Sequence, residues 1–168
     1  MKIIFFGSSF FSLSILNALL NSAHQIVQIV TTCDQKKGRG QKMAPNEVKL
    51  FALEKNLPVI DPAKLNAPEI ELALSVLKPD FLVVAAYGKM IPNSILKLPR
   101  LAALNVHPSL LPKYRGASPI QSAILAGDSE TGVSIAEVTD KLDAGDVFGQ
   151  SKTEIEEEIG RASCRERV

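Results

Sequence analysis

The sequence predicts an α/β protein built on an open, mostly parallel, twisted sheet that is flanked by helices. Short apolar runs rich in β-branched residues alternate with stretches whose apolar residues recur at helical spacing, which is typical of a parallel sheet. The chain has 168 residues, of which 46% are hydrophobic, so it can form one domain with a buried core. Polar residues also follow apolar runs, where an open sheet of this class builds its site.

The chain opens with a β-α-β pattern. Residues 2–6 are a continuous apolar run, which indicates a strand buried on both faces. The turn Gly7-Ser8-Ser9 ends in an N-capping serine, and a helix follows to about Asn21. Residues 25–32 are a second β-branched strand, so we expect parallel pairing with a right-handed crossover.

A polar loop is predicted from Cys33 to Pro45. It carries the basic residues Lys36, Lys37, Arg39 and Lys42. The loop is long for a connection within an α/β unit, which indicates either function or disorder.

Helical and strand patterns continue through the rest of the chain. They predict helices over residues 46–56, 67–78, 93–96 and 118–126 and strands over residues 57–60, 80–87, 101–107, 131–139 and 147–155. The strand over residues 80–87 is the most apolar, and we expect it to be central. Ser118 and Pro119 are a typical N-cap and first helical residue. An acidic, glycine-containing loop over residues 140–146 separates the last two strands.

The composition argues against several classes of protein. With a net charge of +1 and no block of like charge, the chain is not a purely electrostatic nucleic-acid binder, so a nucleic acid would be bound locally or by another part of the protein. Cys33 and Cys164 lack metal-ligand spacing, which indicates a reduced, cytoplasmic protein without a metal. The apolar run after Lys2 resembles a signal peptide, but polar residues interrupt it and its phasing is helical. No stretch is apolar enough to span a membrane.

Asn105 and His107 are the strongest candidates for chemistry. Two residues apart on a strand, they point to the same face. A carboxamide and an imidazole aimed at one point can stabilise an oxyanion, and the imidazole can move a proton near neutral pH. Asp143, beside Gly145, is the candidate carboxylate partner of His107. No Ser or Cys stands in a nucleophile elbow, which favours direct attack by a substrate on an acyl group; a hydrogen-bonded core histidine is the alternative.

Several segments resemble the folate-dependent formyltransferases. They are A-Y-G-K-M-I-P (86–92), L-N-V-H-P-S-L-L-P-K-Y-R-G-A-S-P-I-Q (104–121), G-D-S-E-T-G-V-S-I (127–135) and L-D-A-G-D (142–146). The resemblance extends from residue 1 to about residue 157, and the second segment is specific to the family. The opening I-I-F-F-G-S-S-F-F-S is similar to the members that formylate initiator tRNA, and the N-G-S-N turn of the ribonucleotide enzyme is absent.

This resemblance implies a Rossmann-like formyltransferase fold, incomplete at the C-terminus, and an activity. The formyl group of 10-formyltetrahydrofolate would pass to the α-amine of methionine on initiator tRNA. Asn105 and His107 would hold the oxyanion, and Asp143 would pair with His107. The implied protein is a cytoplasmic monomer with tRNA and folate as partners, without a metal and without a membrane partner.

The family's binding residues carry over to further positions. Folate is expected against Tyr87, Gly88, Met90, Ile91, Ser109, Leu110, Leu111, Pro112, Thr139, Asp140 and Leu142, and tRNA against Arg39, Lys42 and Arg115. The Leu111–Pro112 bond is a candidate cis peptide, because cis proline is common in tight functional turns. As alternatives, Arg115 only braces its loop, the basic loop is merely solvated, and Tyr87 packs rather than reacts.

The last residues break the pattern. Residues 158–168, E-I-G-R-A-S-C-R-E-R-V, read as one translated frame of a common sequencing adapter, and a native basic tail is the alternative. We therefore expect a truncated catalytic domain over residues 1–157, a non-native tail over 158–168, and no C-terminal tRNA-binding β-barrel domain. Two other functions stay open, namely formyl transfer to a sugar-nucleotide or ribonucleotide amine and folate binding without turnover.

Overall fold

The computed structural model describes residues 1–37 and 40–156. The chain divides into two compact units, an N-terminal unit, Met1–Ala103, and a C-terminal unit, Leu104–Val168. The predictions made for Arg39 and for the tail over residues 158–168 lie outside the described residues.

The N-terminal unit is a parallel α/β sheet. In chain order its elements are β1 (Lys2–Gly7), α1 (Phe10–Leu20), β2 (Gln25–Val30), β3 (Gln35–Lys37), β4 (Lys42–Ala44), α2 (Glu47–Glu54), β5 (Val59–Ile60), α3 (Pro68–Ser75), β6 (Phe81–Ala85) and α4 (Asn93–Leu96). Its main sheet has the order β5-β2-β1-β6, and each neighbouring pair is parallel. The predicted β-α-β opening is confirmed.

The core of this unit lies on β1 and its neighbours. The fully buried side chains of its strands include Ile4, Phe5, Phe6, Ile29, Val30 and Leu82. Both faces of β1 are therefore covered, which is why its sequence is continuously apolar rather than alternating. Leu16 of α1 and Ala52 of α2 are also fully buried.

The prediction of a polar loop over the whole of residues 33–45 is wrong. Strands β3 and β4 lie within it and pair antiparallel as a separate two-stranded ribbon. Three-residue strands are too short to show a period of two, and the lysines and glycines around them indicate a loop instead.

Two polar clusters hold the base of this ribbon. The Asn46 side chain accepts from the N–H of Lys49 at 2.9 Å and donates to the carbonyl of Thr32 at 2.9 Å. The Lys49 ammonium lies 2.6 Å from a carboxylate oxygen of Asp34 and 2.9 Å from one of Asp61. The hydrogen bonds that Lys49 donates, first to Asp34 and then to Asp61, raise its pKa, so the cation stays charged where the ribbon joins the sheet.

The C-terminal unit is antiparallel. It contains β7 (Ala102–His107), which begins at the unit boundary, α5 (Pro119–Leu125), β8 (Glu130–Glu137) and β9 (Val147–Glu154). Its strand order is β7-β8-β9, and both pairs are antiparallel. Strand β8 alternates the buried residues Gly132, Ser134 and Ala136 with more exposed ones, whereas β9 is exposed along its length.

Most other predicted elements are present, with ends shifted by a few residues. In the described part of the chain, no helix combines the length and the apolar character that a membrane span requires.

Asp80 links the ends of several segments in the N-terminal unit. Its carboxylate accepts the backbone N–H of Lys2 at 2.8 Å and pairs with the Arg100 guanidinium at 2.8 Å. The hydrogen bond from Lys2, with Arg100 beside it, lowers the pKa of Asp80 from its ordinary value of 3.8. A lowered pKa stabilises the folded state above pH 3.8, and that stabilisation fades as the pH falls further.

We therefore expect Asp80→Asn to lower the urea midpoint at pH 7, with the difference from the parent chain narrowing below pH 3.8. Urea unfolding across pH 2.5 to 7 (about one-unit steps) measures this, and Asp146→Asn, an exposed carboxylate, is the matched control. Equal midpoints for Asp80→Asn and the parent at neutral pH would contradict the prediction.

Candidate active site

The end of β7 brings Asn105 and His107 to one carboxylate. The Asn105 amide donates to Asp143 Oδ1 at 2.9 Å, and His107 Nδ1 lies 3.6 Å from Asp143 Oδ2. His107 is buried and Asn105 is partly buried. The structure thus places the three predicted catalytic side chains together within the C-terminal unit.

Asp143 is held by more than its side-chain partners. Its Oδ2 also accepts the backbone N–H of Gly116 at 2.9 Å, so both carboxylate oxygens have a hydrogen-bond donor. Its side chain is only 7% exposed. The backbone of Asp143 has φ +47°, a left-handed conformation that aspartate tolerates better than most residues.

Gly145 lets the loop of Asp143 lie directly against β8. A Cβ at this position would overlap the carbonyl of Glu137. The Glu137 N–H donates to the carbonyl of Asp146 at 2.9 Å, which closes the loop on the strand. The backbones of this loop and of β8 therefore approach each other closely at Gly145.

His107 makes its direct hydrogen bond to a main-chain group. Nε2 lies 2.9 Å from the Tyr114 carbonyl oxygen, and a carbonyl only accepts, so Nε2 carries a proton in this contact. The 3.6 Å from Nδ1 to Asp143 is beyond hydrogen-bond range. The expected pairing of Asp143 with His107 therefore takes the form of a close charged neighbour.

Buried polar groups hold the S-L-L-P loop. The predicted cis peptide between Leu111 and Pro112 is present. Ser109 Oγ donates to the Lys113 carbonyl at 2.6 Å. Ser134 Oγ accepts the Leu111 N–H at 3.0 Å and donates to the Ser109 carbonyl at 2.5 Å. The two serine hydroxyls thus hold the loop by hydrogen bonds to its main-chain groups.

The other predicted residues of the C-terminal unit differ in their exposure. Leu110 is partly buried and Leu111 is buried, whereas Pro112 and Arg115 are exposed. Thr139, Asp140 and Leu142 are exposed, and Thr139 Oγ1 donates to the Lys141 carbonyl at 3.1 Å.

The predicted residues of the N-terminal unit follow β6. Tyr87 is buried against Phe6, with ring centroids 5.4 Å apart in an edge-on arrangement. Burial raises the pKa of its hydroxyl to about 12, so the phenol stays protonated near neutral pH. Gly88 has φ +77°, Met90 is 82% exposed and Ile91 is partly buried. Lys42, at the start of β4, is exposed.

A cleft of about 420 Å³ lies in the N-terminal unit, beyond the carboxyl ends of β1, β2 and β6. Its lining includes Ser8, Ser9, Thr32, Cys33, Tyr87 and Lys89. The Ser8 hydroxyl donates to the carbonyls of Ala86 and Tyr87, at 3.1 and 2.9 Å. The carboxyl ends of parallel strands are where ligands bind in open α/β sheets. In the part of the chain that the structure describes, no group of acidic, histidine or cysteine side chains is arranged to hold a metal ion.

Sequence reasoning missed several groups that shape this site. The Tyr114 carbonyl and the Gly116 N–H are main-chain groups, which no residue type signals. Gln150, whose amide donates to the Leu111 carbonyl at 2.9 Å, lies in a strand that reads as ordinary and polar. The turn of Ser8 and Ser9 could suggest a phosphate site, but the absence of G-x-G-x-x-G argues against dinucleotide binding, and the sequence assigns the turn to helix capping. The structure places both serines in the wall of the cleft.

The arrangement of these side chains indicates the class of reaction that the site can support. An amide, an imidazole and a carboxylate meet at a strand end, an arrangement that suits acyl-group transfer directly between two substrates. Residues 1–168 match the formyl transferase family, and the chain belongs to that family.

The chain is similar to proteins that carry a more specific name. It is 47% identical over its whole length to the methionyl-tRNA formyltransferase of Sulfurihydrogenibium sp. (strain YO3AOP1) and 44% identical to that of Methylococcus capsulatus. It covers 54% of each, so it spans about half the length of these curated relatives.

A solved structure confirms the predicted fold class. Glycinamide ribonucleotide transformylase 1 from Geobacillus kaustophilus matches with a TM-score of 0.77 and 26% identity, over 99% of this chain and 89% of that chain. The match is to a mostly parallel sheet flanked by helices, as the sequence predicts.

We expect Gly145→Ala to destabilise the chain by about 1–3 kcal/mol, because the added methyl group forces the loop of Asp143 away from Glu137. Gly149→Ala is the control, since a Cβ there meets nothing within 4 Å. Urea unfolding of both variants measures the difference. If Gly145→Ala is as stable as Gly149→Ala, the close approach does not constrain the loop.

Proposed function

We propose that this chain is the formyl-transferring part of a methionyl-tRNA formyltransferase, with the catalytic domain over residues 1–157. It would move the formyl group of 10-formyltetrahydrofolate to the α-amine of methionine on initiator tRNA. The convergence of Asn105 and His107 on Asp143 supports this proposal most directly. The 47% identity to a methionyl-tRNA formyltransferase supports the choice of acceptor.

Formyl transfer needs a stabilised oxyanion. The methionine amine attacks the formyl carbon, the carbonyl oxygen becomes negative, and the bond to N10 of the folate then breaks. One amide hydrogen of Asn105 is donated to Asp143, which leaves the second for the oxyanion. The Nε2–H of His107 donates a hydrogen bond to the Tyr114 carbonyl, and an oxyanion would accept that hydrogen bond more strongly.

Asp143 completes this arrangement. Its carboxylate lies 3.6 Å from His107 Nδ1 and can stabilise positive charge on the ring. The proton that the attacking amine loses has to reach N10 of the leaving folate, and the His107–Asp143 pair is placed to relay it through water. The balance is one C–N bond formed, one C–N bond broken and one proton moved.

Folate and tRNA would use groups at the surface. Of the residues proposed to bind folate, Leu142 and Met90 are exposed apolar side chains, of the kind that a heteroaromatic ligand contacts. Arg115 and Lys42 are exposed cations that can pair with tRNA phosphates, and Arg39 is proposed with them. These substrates place the protein in the cytoplasm.

A ribonucleotide amine is the second candidate acceptor, because the solved relative is a glycinamide ribonucleotide transformylase. Its 26% identity is well below the 44–47% of the named tRNA relatives, which favours tRNA.

A formylation assay with methionyl-tRNA and 10-formyltetrahydrofolate tests the proposal. We expect His107→Ala and Asp143→Asn to lower kcat by about 100- to 1,000-fold, because a preorganised oxyanion donor or its support is lost. His24→Ala and Asp146→Asn, at exposed positions, are the matched controls. A folate-binding titration run beside the assay should show binding largely kept in all four variants.

Each other result points elsewhere. Near-parental rates for His107→Ala would remove its catalytic role. Transfer to glycinamide ribonucleotide but not to tRNA would select the second acceptor, and folate binding without transfer to either would indicate a binding protein.

Lys42 gives a separate test of tRNA binding. We expect Lys42→Ala to raise KM for methionyl-tRNA and to reduce the salt slope of that KM by about 0.7–1, the loss of one phosphate contact. KM for the formyl donor should not change, and Lys97→Ala, another exposed lysine, is the control. An unchanged salt slope would show that Lys42 is only a solvated residue.

A further inference from the structure

Tyr114 contacts both His107 and a carboxylate outside the predicted triad. Its main-chain carbonyl lies 2.9 Å from His107 Nε2, and its hydroxyl donates to Asp128 Oδ2 at 2.8 Å. One residue thus connects the candidate catalytic imidazole to a group to which the sequence assigned no role.

Asp128 is well anchored. It follows α5, and its N–H donates to the Ala123 carbonyl at 3.1 Å, which ties it to the end of that helix. Lys113 Nζ lies 3.2 Å from the carboxylate oxygen that Tyr114 uses. The hydrogen bond from Tyr114, with Lys113 beside it, lowers the pKa of Asp128, and the same bond raises the pKa of Tyr114. The phenol therefore remains the donor and the carboxylate the acceptor at neutral pH.

The backbone of Tyr114 needs such an anchor. Its φ is +55°, a left-handed conformation that a bulky residue rarely adopts and that persists only where its surroundings hold it. This conformation aims the carbonyl at His107. The hydrogen bond to Asp128 holds the side chain of the residue that carries this carbonyl.

The position of the carbonyl decides which nitrogen of His107 keeps a proton. A carbonyl beside Nε2 requires a hydrogen there, in the neutral ring and in the cation alike. The proton that the ring gains or loses is then on Nδ1, and the charged group facing Nδ1 is Asp143, at 3.6 Å.

We propose that Asp128 and the phenol of Tyr114 are positioning residues that hold a proton on Nε2 of His107 and so direct proton exchange to Nδ1, beside Asp143. The kinetic consequence rests on the proposed formyl transfer, because it needs a reaction that uses His107. The position of the proton does not rest on it and can be measured on the chain alone.

Long-range ¹⁵N–¹H correlation spectra of the ¹⁵N-labelled chain test the proposal. The chain contains only His24 and His107, and the exposed His24 is an internal reference for an unconstrained ring. We expect the parent to show the Nε2-protonated pattern for neutral His107. In Tyr114→Phe, which lacks the phenol oxygen, we expect His107 to show averaged nitrogen shifts like those of His24 instead of this pattern.

Two further variants serve as a second test of the acceptor and as a control for the neighbouring cation. Asp128→Asn retains the shape but weakens the acceptor, and it should shift the pattern in the same direction by less, even if Tyr114→Phe folds poorly. Lys113→Met removes the neighbouring cation and leaves both partners of the Tyr114–Asp128 bond in place, so it should keep the parent pattern. A parent ring protonated on Nδ1, or one pattern in the parent, Tyr114→Phe and Asp128→Asn, overturns the proposal.

The formylation assay adds the kinetic readout. We expect Tyr114→Phe to lower kcat by about fivefold to tenfold, as for one lost hydrogen bond, with KM for methionyl-tRNA within about twofold. A raised KM with unchanged kcat would contradict a role through His107. If the parent shows no formyl transfer, the proposed function fails while the spectra still decide the position of the proton.

Discussion

The carboxylate of Asp143 is the constraint on which the C-terminal unit depends. It joins the strand residue Asn105, the loop residue Gly116 and, at longer range, His107. Asp143 is far from these groups in the sequence, 38 residues from Asn105 and 27 from Gly116. A carboxylate with little exposure needs donors on both oxygens. The same bonds that satisfy its charge therefore set the geometry of the amide and the imidazole.

Different interactions stabilise the two units. Burial of apolar strands such as β1 stabilises the N-terminal unit. The Ser8 hydroxyl donates to the carbonyls of Ala86 and Tyr87 and so joins the turns after β1 and β6, which gives the cleft a preformed wall. The C-terminal unit rests on buried polar groups, with Ser134 and Ser109 fixing the S-L-L-P loop from inside. Such networks are rigid only when each member has a partner, because an unpaired buried polar group is costly.

The sequence predicted what side chains and their periods encode. The buried strands β1 and β6 follow from continuous apolar runs, and the same-face placement of Asn105 and His107 follows from their spacing on a strand. Asp143 was predicted as the neighbour of His107, whereas its hydrogen bond with Asn105 was not predicted. The β3–β4 ribbon could not be predicted, because its strands are too short for a period to show. The contacts of Tyr114 and Gly116 were also out of reach, since every residue has a carbonyl and nearly every one an N–H.

The L-D-A-G-D segment has a consequence for sequence variation. Position 143 requires a carboxylate and a left-handed backbone conformation at once. Glycine adopts that conformation but has no carboxylate, and β-branched residues provide neither. Gly145 has no room for a side chain. Ala144 between them is exposed. Random libraries over this segment should therefore recover functional clones that differ at Ala144 and keep both of its neighbours.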